Sequence, residues 1–366
     1  MTRFIKLLVR IWGLWVVAAA LAVTAGLIAI GGRDPVAAYT VLLNDGLFDP
    51  YGFADILVKM SPLVLTGLAV IVPLRAGLYN IGGEGQMYMG ALCATLPAIY
   101  LPPLPLGLHV VICSVCGMAG GAAWAAIAGV LKAYRGTNEV ISTLLLNYIA
   151  INLINFVVSG PLLDPGAPYP YSSPIQESAQ LPRLSSTADV HAGLLVGLSL
   201  ALSAWFVFAR TPAGLAMRMV GENVQVAAYA GVPVRRTVVL ALAAGGAAAG
   251  LAGAYEVMGV KHRLFHLFGG GYGYDGVVVA FLAGGHPVWG MVTAFFIAVL
   301  RVGGNQMQRG AGVPITVVAT VEGLIVVFVA ASLALRRIGT SAESDQADLP
   351  GPKSDQSPLD TPQQPI

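Results

Sequence analysis

Two glycine-rich segments each carry one acid shortly before an apolar run. They are residues 77–94 (GLYNIGGEGQMYMGALCA), with Glu84, and residues 269–290 (GGGYGYDGVVVAFLAGGHPVWG), with Asp275. In a hydrophobic chain, glycines that interrupt a helix leave backbone N–H and C=O groups unpaired. Such groups are tolerated only beside protein or water. The pattern therefore predicts two discontinuous helices, related as parts of an inverted repeat, that lie along a polar path.

Amide and tyrosine side chains are the other groups here that could bind a solute. Asn147, Asn152 and Asn155 lie in an apolar segment, and an amide is costly against lipid, so all three should face the bundle interior. They could hydrogen-bond to neighbouring helices, or to the hydroxyl groups and ring edges of a solute. The candidate path residues are Asn80, Glu84, Gln86, Tyr88, Asn147, Asn152, Tyr274 and Asp275.

Catalytic, metal and nucleotide chemistry are not indicated. The glycine-rich segments lack the Lys-Ser/Thr ending of a P-loop and the strand context of a dinucleotide fold. Cys113 and Cys116 have the CxxC spacing but no histidine or second pair nearby, which favours buried small residues. We therefore predict no enzyme activity, no cofactor and no metal site. A net charge of +2 also gives no field that would attract nucleic acid.

Long apolar segments must position these residues. Hydrophobic residues make up 56% of the 366 residues and charged residues only 10%, which predicts an all-α, polytopic transmembrane helix bundle. About ten spans are expected, or eight to nine if Gly284, Gly285 and Pro287 split 274–303 into two short pieces of a hairpin or one broken span. The candidate spans are 11–30, 56–74, 86–101, 107–131, 139–158, 192–209, 237–259, 274–284, 288–303 and 313–335.

The basic residues predict the orientation of the bundle. Placing Arg3, Lys6 and Arg10 in the cytoplasm puts most other Lys and Arg residues on that side, so both termini are expected to be cytoplasmic. The transmembrane domain would be 1–338, and the Ser-, Pro- and Asp-rich segment 339–366 would be a disordered tail. The Pro-rich loop at 159–191 would lie outside, where it could cover an opening, contact a partner or simply connect two spans.

The segment 211–235 is too polar to cross a membrane and too regular for a plain loop. A turn at Gly221-Glu222-Asn223 precedes a small-residue helix at 224–230, which Asn223 could cap and which ends at Gly231. A short exposed helix of small residues is suited to a groove in another protein. An amphipathic surface helix without a partner is the alternative.

This segment resembles the cytoplasmic coupling loop of membrane permeases in ABC importers, the family that includes branched-chain amino acid, ribose and nucleoside permeases. The Gly/Ala-rich run LALAAGGAAAGLAGAYEVMG at 240–259 and the segment GTNEVISTLLLNYIAINLIN at 136–155 extend the resemblance over most of 60–335. Together with NIGGEGQMYMGA, they look most like the nucleoside and simple-sugar branch.

The resemblance implies an inner-membrane permease subunit that moves a small polar solute, most simply a nucleoside, by alternating access. The implied partners are cytoplasmic subunits that use ATP and Mg, a second permease, an extracytoplasmic solute-binding protein and membrane lipid. A simple-sugar permease and an ion-coupled secondary transporter are the alternatives. The residues implied to engage the ATPase are Arg218, Gly221, Glu222, Asn223, Ala227, Ala228 and Gly231.

Overall fold

The computed structural model describes residues 18–324 except 20, 167, 186–188, 315, 318–319 and 321–322. Within this part of the chain the regular structure is helical, with three isolated β-bridges. Short π-helical segments at Leu42–Phe48 and Val257–Lys261 continue α2 and α10. The α-helices are α1 Leu21–Ile30, α2 Pro35–Val41, α3 Pro50–Leu74, α4 Gly83–Tyr100, α5 Leu106–Arg135, α6 Glu139–Ser159, α7 Gly193–Arg210, α8 Pro212–Glu222, α9 Val224–Tyr229, α10 Val234–Glu256, α11 Tyr272–Leu282 and α12 Pro287–Ala311.

Three of these helices begin with a capping side chain followed by proline. Asp34, Asp49 and Thr211 cap α2, α3 and α8, and a proline without an N–H occupies the next position of each. The Asp49 carboxylate accepts hydrogen bonds from the N–H groups of Tyr51 and Gly52, both at 2.9 Å. The helical element formed by α2 and the following π-helix, 35–48, was not anticipated from the sequence.

Helices α3 and α10 form the centre of the bundle, and small residues let their neighbours approach closely. A Cβ added at Gly250 of α10 would lie 2.3 Å from the Gly117 carbonyl oxygen of α5, and one added at Gly253 would lie 1.9 Å from the Met87 oxygen of α4. These distances are too short for any side chain. The glycines of 240–259 thus let α10 pack closely against α4 and α5.

Six described helices are long and apolar enough to cross a membrane: α3, α5 from Gly107, α6, α7, α10 continued to Lys261, and α12. The helices Leu21–Ile30 and α11 are apolar but shorter. The prediction of eight to ten spans is therefore not confirmed. Residues 11–17, most of 313–335 and the tail 339–366 lie outside the described residues.

The region 274–303 breaks where predicted, but its two parts are unequal. Gly284 and Gly285 adopt left-handed conformations with φ of 60° and 71°, which end α11 after only 11 residues. Helix α12 then runs for 25 residues to Ala311. The expectation that both pieces are short is right for α11 and wrong for α12, because the polar residues after 303 continue the helix.

The loop between α6 and α7 packs against the segment that follows α10. The N–H groups of Ser172, Ile175 and Leu181 donate to the carbonyl oxygens of Leu264, His262 and Met258 at 2.9, 3.0 and 3.0 Å. These bonds hold the loop along the end of the bundle. The described part of the loop is thus fixed to the bundle by backbone hydrogen bonds.

Candidate functional site

The N-termini of α4 and α11 meet head to head inside the bundle. Glu84, in the first turn of α4, accepts hydrogen bonds from the N–H groups of Gly273 at 2.8 Å and Gly271 at 3.3 Å. Its carboxylate therefore caps the other helix, where unpaired N–H groups and the helix dipole favour negative charge. The two glycine-rich segments predicted from the sequence are brought together at this point.

Glycine is required at this junction because the two backbones touch. A Cβ added at Gly273 would lie 2.0 Å from the backbone nitrogen of Glu84, and one added at Gly83 would lie 3.1 Å from the Gly273 carbonyl oxygen. The junction therefore leaves no room for a side chain at Gly273. The arm 75–82 that leads into α4 from α3 is not helical.

A pair of buried amides fixes the arm before α4. Asn80 and Gln86 exchange two hydrogen bonds of 2.9 and 2.8 Å. The Asn80 amide also donates to the Ala69 carbonyl oxygen of α3 at 3.0 Å and accepts from the Gly82 N–H at 3.0 Å. These bonds use both NH₂ hydrogens and both lone pairs of the Asn80 amide, so the pair holds the arm against α3 and α4.

Side chains of helix α6 also hydrogen-bond to the arm 75–82 and to the start of α4. The Asn147 oxygen accepts from the Gly85 N–H at 2.8 Å, and its NH₂ group donates to the Ile81 carbonyl oxygen at 2.9 Å. Thr143 adds a hydroxyl that accepts from the Ile81 N–H at 3.2 Å. Asn147 is fully buried, which agrees with the prediction that it faces the bundle interior.

The α11 side of the junction contains an ion pair that the sequence alone did not reveal. Asp275 pairs with Arg301 of α12, whose guanidinium also donates to the Gly270 carbonyl oxygen at 3.1 Å and lies 4.8 Å from the Tyr272 ring centroid. A lone arginine within an apolar segment was the available signal. Tyr88 of α4 contacts the segment just before α11: its ring centroid lies 4.7 Å from that of Phe268, and its hydroxyl accepts from the Gly269 N–H at 3.4 Å.

The predicted interior position of Asn152 and Asn155 is wrong. Helix α6 buries Thr143, Asn147 and Ala150 at helical spacing, so residues 152 and 155 fall on its opposite, exposed side. Asn152 donates only to the Tyr148 carbonyl oxygen of its own helix, at 2.8 Å.

Three tyrosines are exposed on or beside α6 and α11. Tyr274 is partly exposed, and its hydroxyl contacts Asn147 and lies near Tyr148, which is itself exposed. Tyr79 stacks with Phe281 at a centroid distance of 6.4 Å and is also partly exposed. We call the exposed surface that carries Tyr148, Asn152, Asn155 and Tyr274 the α6–α11 face; the apolar side chains of Leu145, Ile149 and Phe156 are exposed on the same helix.

Helices α8 and α9 form the element predicted at 211–235. The Asn223 oxygen accepts from the N–H groups of Gln225 and Val226 at 2.9 and 3.1 Å, and Gly231 has the left-handed φ of 81°. The predicted cap and the predicted stop are both confirmed. The helix ends at Tyr229, one residue earlier than expected.

One side of this element packs against the end of α3. A Cβ added at Gly221 would lie 2.7 Å from the Arg75 carbonyl oxygen and 2.9 Å from the Gly77 nitrogen. Ala227 is fully buried in a cluster with Ala76 and Leu78, so the expectation that it lies on the docking face is wrong. The arm 75–82, which leads into α4, therefore also packs against α8 and α9.

The other side of the element is exposed. Ala228 lies on this side, as do Val224 and Val226, and Tyr229 is 94% exposed. An almost fully exposed tyrosine on a short, otherwise small-residue helix is a feature that the sequence analysis missed. Among the described residues no cluster of His, Cys, Asp and Glu could hold a metal ion.

Residues 52–330 match the protein family described as Branched-chain amino acid transport system / permease component. The chain is 34% identical over 353 residues to the Glucose ABC transporter permease protein TsgB13 of Haloferax volcanii, with 91% of each chain covered. It is 34% identical over 322 residues to the Guanosine ABC transporter permease protein NupP of Bacillus subtilis, covering 86% of this chain and 91% of the relative. Identity to the Nucleoside ABC transporter permease protein NupB of Lactococcus lactis is 29% over 308 residues, covering 82% and 84%.

Proposed function

Because this chain belongs to the branched-chain amino acid transport system / permease component family, we propose that it forms the membrane path of an ATP-driven importer for a small polar solute. The observation that carries the proposal is the head-to-head junction of α4 and α11, where Glu84 of one helix accepts hydrogen bonds from the first N–H groups of the other. Partner subunits would use ATP and Mg, and this chain would supply the path and the hinge. Its place would be the cytoplasmic membrane, with α8, α9 and both termini on the cytoplasmic side.

The path would run along the α6–α11 face. Exposed amides and tyrosine hydroxyls are costly against lipid, so these groups on a spanning helix are expected to meet water or another protein. A second permease, identical or related, would close the path on its open side. Asn152 and Tyr274 would contact the solute, while Asn80, Glu84, Gln86, Tyr88, Asn147 and Asp275 would fix the geometry of the junction.

We infer that the junction is the centre of an inverted repeat. In each half a long buried helix, α3 or α10, is followed by a non-helical arm and by a helix with an acid in its first turn. In the span order predicted from the sequence, α4 and α11 would run in opposite directions from the middle of the membrane. Movement of one half against the other would then open the path to alternate sides.

A nucleoside is the solute that we favour. Tyrosine rings can stack on a base, and amides can pair with its edge or with ribose hydroxyls. Two relatives named for guanosine and for nucleosides support this choice. A simple sugar is the second candidate, because the relative named for glucose covers 91% of the chain. An extracytoplasmic binding protein would deliver either solute.

An ion-coupled carrier is less well supported. Such a carrier is expected to hold a free acid within the membrane, and the four buried acids of the described helices have partners, among them Glu139, which pairs with Lys132 at 2.8 Å. Glu84 accepts backbone hydrogen bonds, Asp275 pairs with Arg301, and Glu256 lies 3.8 Å from the Lys261 ammonium. Such a carrier would also have no use for the exposed side of α9.

Two neighbouring alanines give a test of the coupling role of α8 and α9. Ala228→Trp changes the exposed side of α9, so we expect normal insertion and thermal stability but loss of ATPase-dependent uptake. Ala227→Trp would overfill a fully buried site and should destabilise the chain by about 1–3 kcal/mol. Uptake and thermal unfolding of both variants should be measured with the ATPase subunits present. Normal ATPase-driven uptake in Ala228→Trp would refute the coupling role.

A further inference from the structure

A pocket of about 260 Å³ lies where the end of α3, the end of α7, helix α8 and the start of α12 meet. Its wall contains two arginines, one from α8 and one just after α3, and a histidine at the start of α12. The backbone of Gly284 and Gly285 and the rings of two aromatic residues complete it. The side chains that matter here are Arg75, Arg218, His286, Trp205 and Phe208.

The pocket is rich in unmatched positive charge. No acidic residue lines it, and within the described chain neither Arg75 nor Arg218 forms a salt bridge. The Arg75 Nε is buried without a hydrogen-bond partner, and the Arg75 guanidinium lies 5.7 Å from the Phe208 ring centroid. Burial, and then the charge of Arg218, lower the pKa of Arg75, while Glu222 acts in the opposite direction. An anion in the pocket would satisfy both guanidinium groups.

An apolar groove of about 220 Å³ lies next to the pocket and shares Phe208 with it. It follows α7 from Leu200 to Val207, a rise of roughly 10 Å, and its other walls are formed by α3, α10, Met118 of α5 and Met217 of α8. Ser203 is the one polar residue among those that line it. Trp205, at the edge of the pocket, is exposed on the same helix, as is typical of residues at headgroup depth.

We propose that the pocket and the groove together bind one anionic phospholipid, with its phosphate between Arg75 and Arg218 and an acyl chain along α7. Basic pockets between spanning helices are suited to anionic headgroups. A free phosphate, or a carboxylate of an ATPase subunit, could use the arginines but would leave the groove empty. The bound lipid would join α8 to α3, α7 and α12, and so would hold α8 and α9 against the bundle.

The test is a lipid titration of the purified full chain by native mass spectrometry. Dioleoyl phosphatidylglycerol should bind about tenfold more tightly than dioleoyl phosphatidylcholine, because one charge-assisted contact is enough for that ratio. The ratio should fall to near one in Arg75→Gln/Arg218→Gln. It should stay at the wild-type value in Arg236→Gln, which removes an exposed arginine on α10 outside the pocket.

Two further variants distinguish the contribution of the arginine charges to lipid binding from that of the groove, and a folding control is applied to all of them. Arg75→Lys/Arg218→Lys keeps both charges and should retain most of the preference. Ser203→Trp fills the groove and should weaken binding of dioleoyl phosphatidylglycerol without changing either arginine. A wild-type elution profile in size-exclusion chromatography identifies the variants that fold.

Several results would overturn the proposal. One is an equal affinity of the wild type for both lipids, and another is a preference that survives in the folded double-Gln variant. Displacement of the lipid by millimolar inorganic phosphate, with no effect of Ser203→Trp, would make the pocket a small-anion site. A double-Gln variant that loses ATPase association but keeps the lipid preference would make it a protein contact.

Discussion

At the scale of single residues, the junction of α4 and α11 depends on side chains that the sequence identifies but cannot pair. Glu84 and Asp275 were both singled out because each follows a glycine-rich run. Their partners, the Gly273 N–H and Arg301, lie 189 and 26 positions away along the chain. Local spacing carries no information on such contacts, so the acids could be predicted and their roles could not.

For the buried amides, too, the sequence identified the residues but not their partners. Asn80 and Gln86 were expected on the path because they lie in a glycine-rich segment, and Asn147 because an amide in an apolar span is costly against lipid. In the structure each of these side chains donates and accepts hydrogen bonds within, or next to, the arm 75–82 and the first turn of α4. Backbone groups left unpaired by a broken helix must be satisfied locally, and this demand takes up the side chains that could otherwise bind a solute.

Gly273→Ala is expected to separate the two helix ends. The new methyl group would overlap the Glu84 backbone nitrogen, since the ideal Cβ position lies only 2.0 Å from it. We expect a loss of about 1–3 kcal/mol of stability or more, and loss of uptake. The matched control is Gly107→Ala, where nothing lies within 4 Å and a change within about 0.5 kcal/mol is expected. Equal unfolding temperatures for the two variants would contradict the close contact.

At the scale of elements, capping signals and glycine stops were predictable, and the direction of exposed faces was not. Helix α9 begins after Asn223 and ends before Gly231, as expected, because a cap and a left-handed glycine depend only on the residues next to them in the chain. Ala227 and Asn152 were placed on the wrong sides because burial depends on which helix packs where. The element 35–48 was missed, since its start signal, Asp34-Pro35, stands between two stronger apolar runs.

The loop before α7 gives a prediction on pH. His191 is buried, its Nδ1 accepts from the Gly193 N–H at 3.2 Å, and burial lowers its pKa from 6.5 to about 4. Asp189 opposes this shift, and His262 adds to it. The unfolded chain therefore takes up a proton more readily than the folded chain. The contribution of His191 to stability is complete above pH 6.5 and is lost as the pH falls from 6.5 toward 4.

Thermal unfolding of the wild type and of His191→Gln, measured from pH 7.5 to pH 4, tests this contribution. Other acids titrate in both proteins, so the difference between the two curves isolates His191. We expect the wild type to lose more stability than the variant over this interval. Parallel curves would mean that His191 is protonated equally easily in the folded and the unfolded chain.

At the scale of the whole molecule, the proposed path requires the α6–α11 face to contact water or a second permease. Replacing both exposed amides, as in Asn152→Leu/Asn155→Leu, distinguishes this arrangement from a face against lipid. On a path, the loss of two polar groups should lower uptake several-fold at unchanged insertion. Against lipid, the same change should be neutral or stabilising, because leucine is the better residue there.

The control for this variant is Ser199→Leu, which changes an exposed polar residue on α7, away from the face. We expect it to leave uptake unchanged. Equal effects of the α6 and α7 substitutions would remove the reason to place the path on the α6–α11 face.

The central claim is that this chain moves a solute only when separate ATPase subunits drive it. The most direct measurement is uptake of radiolabelled nucleosides and of glucose by cells that contain this chain, its ATPase and its binding protein, with the ATPase either active or inactivated. We predict uptake of a nucleoside that disappears with the inactive ATPase; ATPase-dependent uptake of glucose alone would keep the mechanism and change the solute. Uptake at the same rate by the chain without a working ATPase would contradict the account.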